Sequence, residues 1–150
     1  SLLQENGMTL STAESCTGGM IGQLVTAVPG ASRVYLEGAI TYSNEAKFRM
    51  LGVRKRDLEA HGAVSREVVM QMAEGCLERS GSSVAIATSG IAGPGGGSPE
   101  KPVGTVHVAL AVEGEAVVHK LLQLRGSRQD VQIRSAWSAL HLLVARLKKS

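Results

Sequence analysis

Residues 105–124 read Thr-Val-His-Val-Ala-Leu-Ala-Val-Glu-Gly-Glu-Ala-Val-Val-His-Lys-Leu-Leu-Gln-Leu. Two β-rich runs, 105–112 and 116–124, are separated only by Glu113-Gly114-Glu115. So short a link returns the chain along its own path, and the two runs form an antiparallel hairpin. Upstream the rhythm differs. Short apolar runs at 8–13, 36–42 and 84–88 alternate with amphipathic stretches, as strands separated by helices do. Met20, Ile21, Leu24, Val25 and Val28 share one helical face before Pro29-Gly30 stops it. Ser43 is placed to cap a helix over 44–51, and a short charged helix covers 55–60. Ser65 caps a longer one that turns Val68, Val69, Met72, Ala73, Cys76 and Leu77 inward. After the hairpin, residues 128–147 form a last helix with Val131, Ala136, Leu140, Leu143, Val144 and Leu147 on its apolar side. Helices between the early strands and a hairpin between the late ones predict a mixed sheet covered on both faces. The expected fold is a three-layer α/β/α sandwich.

The chain has 150 residues, enough for one core and too few for two full-sized ones, so 1–150 is read as a single domain. Apolar residues at 43% and charged residues at 19% exclude a disordered chain. Aromatics at 3% are too few for the stacking platforms of a single-strand binder. The net charge of +3 is spread over 54–56, 125, 128 and 146–149, which suits solvated helix faces better than a duplex-binding stripe. Nucleic acid is therefore not an expected partner, whereas a phosphorylated small molecule is compatible with the mild positive balance. There is no long apolar run, signal peptide or lipidation motif, and no membrane partner is expected. Cys16 and Cys76 form neither a disulfide framework nor a metal-spaced pair, which points to a reducing cytoplasm. His61, His107, His119 and His141 lack ligand spacing, so no metal is expected, although His107 and His119 can face each other across the hairpin. The opening Ser1-Leu2-Leu3-Gln4-Glu5-Asn6-Gly7 reads as the last turn of a helix closed by Gly7, as in a chain trimmed at its N-terminus.

Three segments depart from what packing requires. Thr12-Ala13-Glu14-Ser15-Cys16-Thr17-Gly18-Gly19 is a strand-to-helix turn dense in small polar groups. Such a turn exposes a hydroxyl at the carboxyl edge of a sheet and aims backbone N–H groups at what sits there. It equally suits a plain helix N-cap by Ser15 or Thr17, and the turn alone does not choose. In Thr41-Tyr42-Ser43-Asn44-Glu45-Ala46-Lys47, a lysine follows a strand end. Held near a hydroxyl in a dry site, it could be neutral and act as a general base, but the spacing alone favours an exposed lysine above a capping Ser43. Ser43 is a rival nucleophile, and Cys16, without a histidine partner, ranks below Ser15. The loop Ser89-Gly90-Ile91-Ala92-Gly93-Pro94-Gly95-Gly96-Gly97 lets backbone N–H groups approach a phosphate or carboxylate. It lacks the Gly-Lys-Ser/Thr of a P-loop, and Ser98 stands where a dinucleotide fingerprint needs its third glycine.

Taken in order, TAESCTGG (12–19), TYSNEAK (41–47), HGAVS (61–65) and SGIAGPGGG with KPVGTV (89–106) closely resemble the bacterial CinA C-terminal domain family, the nicotinamide mononucleotide amidases. The resemblance covers nearly the whole chain. It implies an α/β/α fold with a mixed sheet, assembly as a dimer or larger homo-oligomer, and no cofactor. It further implies hydrolysis of the nucleotide's carboxamide to nicotinate mononucleotide and ammonia, with Ser15 as nucleophile, Lys47 as general base and Tyr42 as a hydrogen-bonding partner. Cys16, Thr17, Gly18 and Gly19 would then surround the oxyanion, and Ser89, Gly90, Gly93, Gly95, Gly96, Thr105 and Arg128 the nucleotide. Family members often place a second arginine four positions after that of a Gly-x-Arg. Here Gly126 and Arg128 match, Gln132 takes the second place, and Arg134 is the nearest substitute. A second reading is a nucleotide-binding regulatory module without turnover. A third, a DNA-binding competence protein, is opposed by the thin charge and few aromatics.

Overall fold

Val84–Gly90 contains no residue larger than isoleucine and is dry along almost its whole length, as a strand needs to be when helices cover both sides of it. The computed structural model describes residues 1–149. In chain order they form α1 (Leu2–Glu5), β1 (Leu10–Glu14), α2 (Met20–Thr26), a 3₁₀ turn (Ala31–Arg33), β2 (Tyr35–Ile40), α3 (Asn44–Leu51), α4 (Lys55–His61), α5 (Arg66–Ser80), β3 (Val84–Gly90), β4 (Thr105–Val112), β5 (Val118–Gln123) and α6 (Arg128–Leu147). The sheet order is β2-β1-β3-β4-β5. β1 runs parallel to β2 and β3, whereas β3–β4 and β4–β5 are antiparallel, so the sheet is mixed as the hairpin predicts.

The two faces are built differently. Between the sheet and α2 and α6 lie large side chains, Leu10, Ile86 and Leu110 from the strands and Ile21 and Leu143 from the helices. Under α3 and α5 the strands present Ala13, Ala85, Ala87, Ala109 and Ala111, and Val68, Val69 and Met72 fill the space from above. Small strand residues let α5 lie close to the sheet. α3 in turn presses on α5 where Gly75 meets the end of α3: a Cβ on Gly75 would stand 1.9 Å from the Leu51 carbonyl oxygen. That approach sets the height of α3 and of every side chain it carries.

Several boundaries differ from expectation, each for a local reason. Glu113 to Val117 is a longer connection than three residues: the Glu115 N–H closes a turn on Val112 O, Gly114 takes φ +77°, and β5 starts only at Val118. α2 ends at Thr26, which leaves Val28 outside the helix and 58% exposed rather than on its buried face. His107 and His119 do meet, but diagonally, with Nδ1 and Nε2 2.8 Å apart and their rings stacked. No helix among the described residues is long and apolar enough to cross a membrane.

Gly75→Ala forces backbone against backbone and should lower stability by roughly 2–3 kcal/mol, measured by urea unfolding. A change below about 0.5 kcal/mol would mean that α3 and α5 separate freely.

Candidate active site

All three parallel strands release their chains at one edge of the sheet, where the strand order doubles back around β1 and ligands of open α/β sheets collect. β1 delivers Ser15, β2 delivers Thr41 and Tyr42, and β3 delivers Ser89 and Gly90. Lys47 comes from the first turns of α3, whose N-cap Ser43 accepts the Ala46 N–H at 3.0 Å. The lysine does not point to solvent above that serine. Its side chain is 1% exposed, and Nζ lies 2.9 Å from Ser15 Oγ and 2.7 Å from the Thr41 carbonyl oxygen. No carboxylate pairs with it among the described residues. Burial without a counter-ion penalises the charged form and brings its pKa down to about 8. Ser43, by contrast, is occupied as a cap.

The turn that carries Ser15 is gripped from several sides. Glu14, 2% exposed, accepts the Thr17 hydroxyl at 2.6 Å and the Ile21 and Gly22 N–H groups at 2.9 and 3.1 Å. Neither Ser15 nor Thr17 caps α2, because its N-cap is Gly19 with φ +102° and no side chain to offer. The strand-end carboxylate reaches forward and does that work instead, meeting the positive end of the helix with a negative charge. Thr17 Oγ1 also lies 2.8 Å from Thr88 Oγ1, and the Ser15 N–H donates to Thr88 O at 3.1 Å. Gly18 N–H donates back to Ser15 O at 3.0 Å, whereas the N–H groups of Cys16 and Thr17 have no acceptor among the described residues.

Ser15, Cys16, Tyr42, Lys47, Ser89, Gly90, Gly93, Gly95 and Arg128 line one cavity of about 240 Å³, together with Asn44, Ala63, Val64 and Ala92. The other residues singled out in the sequence are elsewhere. Thr105 is 3% exposed and donates to Gln123 Oε1 at 3.3 Å, tying β4 to the end of β5. Gly96, with φ +87°, lies outside the cavity wall, and a Cβ there would meet Ile91 Cγ2 at 3.6 Å; Thr17, Gly18 and Gly19 do not line the cavity either. Tyr42, 58% exposed, accepts from Arg128 Nη2 at 2.8 Å, and Arg128 Nη1 donates to Gly93 O at 2.8 Å. One guanidinium thus bridges the β2 exit and the glycine loop. Arg134 bonds the Arg125 carbonyl at 3.2 Å and stays outside the cavity. The Cys16 thiol, pushed up to about 12 by burial, is no nucleophile near neutrality. Sequence reasoning overlooked Glu14, and it singled out Gln132 only as standing in place of a second arginine, whereas its Nε2 donates to Cys16 O at 3.0 Å. A carboxylate inside a run of small polar residues was the only available signal.

Larger clefts exist, one of about 530 Å³ beside the hairpin turn and an apolar one of about 350 Å³ between α2 and α6. Neither brings a nucleophile to a base. Among the described residues no three His, Cys, Asp or Glu side chains are grouped to hold a metal ion.

The fold and site define an α/β/α domain with a buried serine–lysine pair at the carboxyl edge of its sheet. Comparison with known proteins gives the particular family. The model of the CinA C-terminal domain matches residues 1–147, and the chain belongs to that family. A CinA-like protein of Chlorobaculum tepidum is 51% identical over 99% of this chain and 36% of its own length. Another, from Kosmotoga olearia, is 49% identical over 93% of this chain and 34% of its own length. The chain thus spans about a third of these curated relatives. Among solved structures, the competence/damage inducible protein CihA from Agrobacterium tumefaciens superposes with a TM-score of 0.94 at 44% identity, covering 97% of this chain and 88% of that one. A CinA superfamily protein from Klebsiella pneumoniae superposes at 0.95 with 36% identity, covering 99% and 92%.

Glu14→Ala would strand two helix N–H groups and loosen Thr17, and should cost roughly 2–3 kcal/mol in chemical denaturation. A loss below about 0.5 kcal/mol would mean that solvent replaces the carboxylate at no cost.

Proposed function

We propose that this domain is an amidase that hydrolyses the carboxamide of nicotinamide mononucleotide, releasing nicotinate mononucleotide and ammonia. One observation carries the reading: an amine 2.9 Å from a serine hydroxyl, 1% exposed and without a counter-ion. Such an amine is a base near pH 8, and that is what a serine nucleophile needs beside it. Neutral Lys47 takes the Ser15 proton as Oγ bonds to the carboxamide carbon. The oxygen that becomes negative is met by the N–H group of Cys16, on the cavity wall beside Ser15, not by the end of α2, whose N–H groups Glu14 holds. Protonated Lys47 then passes its proton to the departing nitrogen, the C–N bond breaks and ammonia leaves. Water, deprotonated by the same amine, cleaves the acyl-serine.

The substrate assignment rests on the resemblance and on the cavity. At about 240 Å³ the cavity is below the roughly 300–1,000 Å³ of drug-sized sites, which suits a small ring inside and a polar tail at the mouth. The Arg128 guanidinium at that mouth is suited to a phosphate.

Ammonia release from the mononucleotide by the isolated chain is the deciding experiment. Binding without release would favour a regulatory nucleotide module. Ser15→Ala should abolish turnover with the fold intact, whereas Ser43→Ala should cost about 1 kcal/mol of stability and leave chemistry largely unchanged. Lys47→Arg keeps a charge but cannot be neutral, so it should be nearly as inactive as Lys47→Ala. Because the base works unprotonated, kcat/KM should rise about tenfold per pH unit below 8 and level above it. A flat profile between pH 6 and 8 would remove Lys47 from the role.

Gly96→Val strains a φ of +87°, whereas Gly95 has open space around it. The first should therefore raise KM for the nucleotide more than it lowers kcat, and Gly95→Ala, unstrained but on the cavity wall, should raise KM by less. Free nicotinamide should be a very poor substrate. Equal efficiency on free nicotinamide and nucleotide would overturn the assignment of the loop and mouth to nucleotide binding.

A further inference from the structure

We propose that Gln132 is a positioning residue of the site, holding the Cys16 carbonyl and with it the turn that presents Ser15 Oγ and the Cys16 N–H to the cavity; this rests on the amidase reading above. Gln132 lies one helical turn after Arg128 on α6, and 116 positions after Cys16 its side-chain amide donates to the Cys16 carbonyl at 3.0 Å. In a trans peptide the C=O and the N–H point in opposite directions. Holding Cys16 O toward α6 therefore turns the Thr17 N–H to the other side. α6 packs on the face of the sheet with Ile86 and Leu110, and α3, which carries Lys47, packs with α5 on the opposite one. The tilt of this peptide, which follows Ser15 and Cys16 in the turn, is thus set from α6, across the sheet from the helix that brings Lys47 Nζ to Ser15 Oγ.

Other contacts fix the turn but leave this one rotation open. Glu14 and Thr88 hold the Thr17 side chain, the Ser15 N–H is anchored on Thr88 O, and the Gly18 N–H closes on Ser15 O. None of these touches the carbonyl that sets the tilt of the 16–17 peptide. Gln132 does, and it is half-buried, so its hydrogen bond competes less with water than a surface contact would. The preceding turn of the same helix face bears on the other side of the cavity, since Arg128 holds Tyr42 and Gly93 O. One helix face thus grips the nucleophile turn and the mouth together.

Two readouts separate this role from a structural one. The first is steady-state hydrolysis of nicotinamide mononucleotide. The second is the rate at which a fluorophosphonate modifies Ser15, followed by intact-protein mass. In that reaction the Ser15 Oγ–P bond forms, fluoride leaves and the serine proton passes to Lys47, and the phosphoryl oxygen needs the same donors with no nucleotide bound. Gln132→Met keeps length and removes the donor, and Gln132→Glu keeps shape but sets an oxygen against the carbonyl. Both should lower kcat about 10–100-fold and slow fluorophosphonate labelling by a similar factor. KM and the thermal midpoint should stay near native. Turnover and labelling within twofold of native would overturn the proposal and leave the amidase reading standing. So would a loss carried by KM, which would make Gln132 a substrate contact. If native protein neither releases ammonia nor is labelled at Ser15, the amidase reading itself fails and this role falls with it.

Discussion

An amine buried without a counter-ion governs the layout around this site. Water would bind the Lys47 ammonium far better than two oxygens do, so the protein can hold it dry only if its surroundings leave no alternative. Thr41 presents a backbone carbonyl at the end of β2, Ser15 presents a hydroxyl at the end of β1, and both arrive because the two strands are hydrogen-bonded neighbours in register. α3 then has to sit low enough for a four-carbon side chain to reach them. It does so because α5 offers Gly75 to the Leu51 carbonyl, and α5 itself lies close over alanines. The basicity of one nitrogen is in this way an outcome of helix height.

A second buried charge balances the turn on the other side. Glu14 has no cation within ion-pair distance among the described residues and is held by donors alone: a hydroxyl and two helix N–H groups. It occupies the start of α2, where its charge meets the positive end of the helix. In the Ser15 turn the N–H groups of Cys16 and Thr17 are left without a backbone partner among the described residues.

Much of this was legible in the sequence. The hairpin at 105–124 announced the antiparallel half of the sheet, and the apolar runs at 8–13 and 84–88 its parallel core. Long periodic helices such as α6 were placed at their observed limits because periodicity over 20 residues averages out local accidents. The weaker readings failed where side chains act at a distance. Lys47 looked like a surface lysine because helical spacing speaks only of neighbours on its own helix, and its partners lie on two strands. Glu14 read as part of a polar turn, since nothing in a linear string shows a carboxylate folding forward over a helix that starts six residues later. Thr105 was drawn into the site by its string, yet its hydroxyl belongs to the strand pairing with Gln123. Gly75 gave no sign at all, because a mid-helix glycine is informative only once the crossing helix is known.

Cys16 has a consequence of its own. It adjoins Ser15 in the chain and lines the same cavity, but burial pushes its thiol up to about 12 and keeps it protonated near neutral pH. Peroxide, disulfides and alkylating agents all react through the thiolate, so the most oxidisable atom in the cavity is also one of its least reactive. A sulfur kept as the thiol makes this cavity less open to oxidation than an exposed cysteine beside Ser15 would.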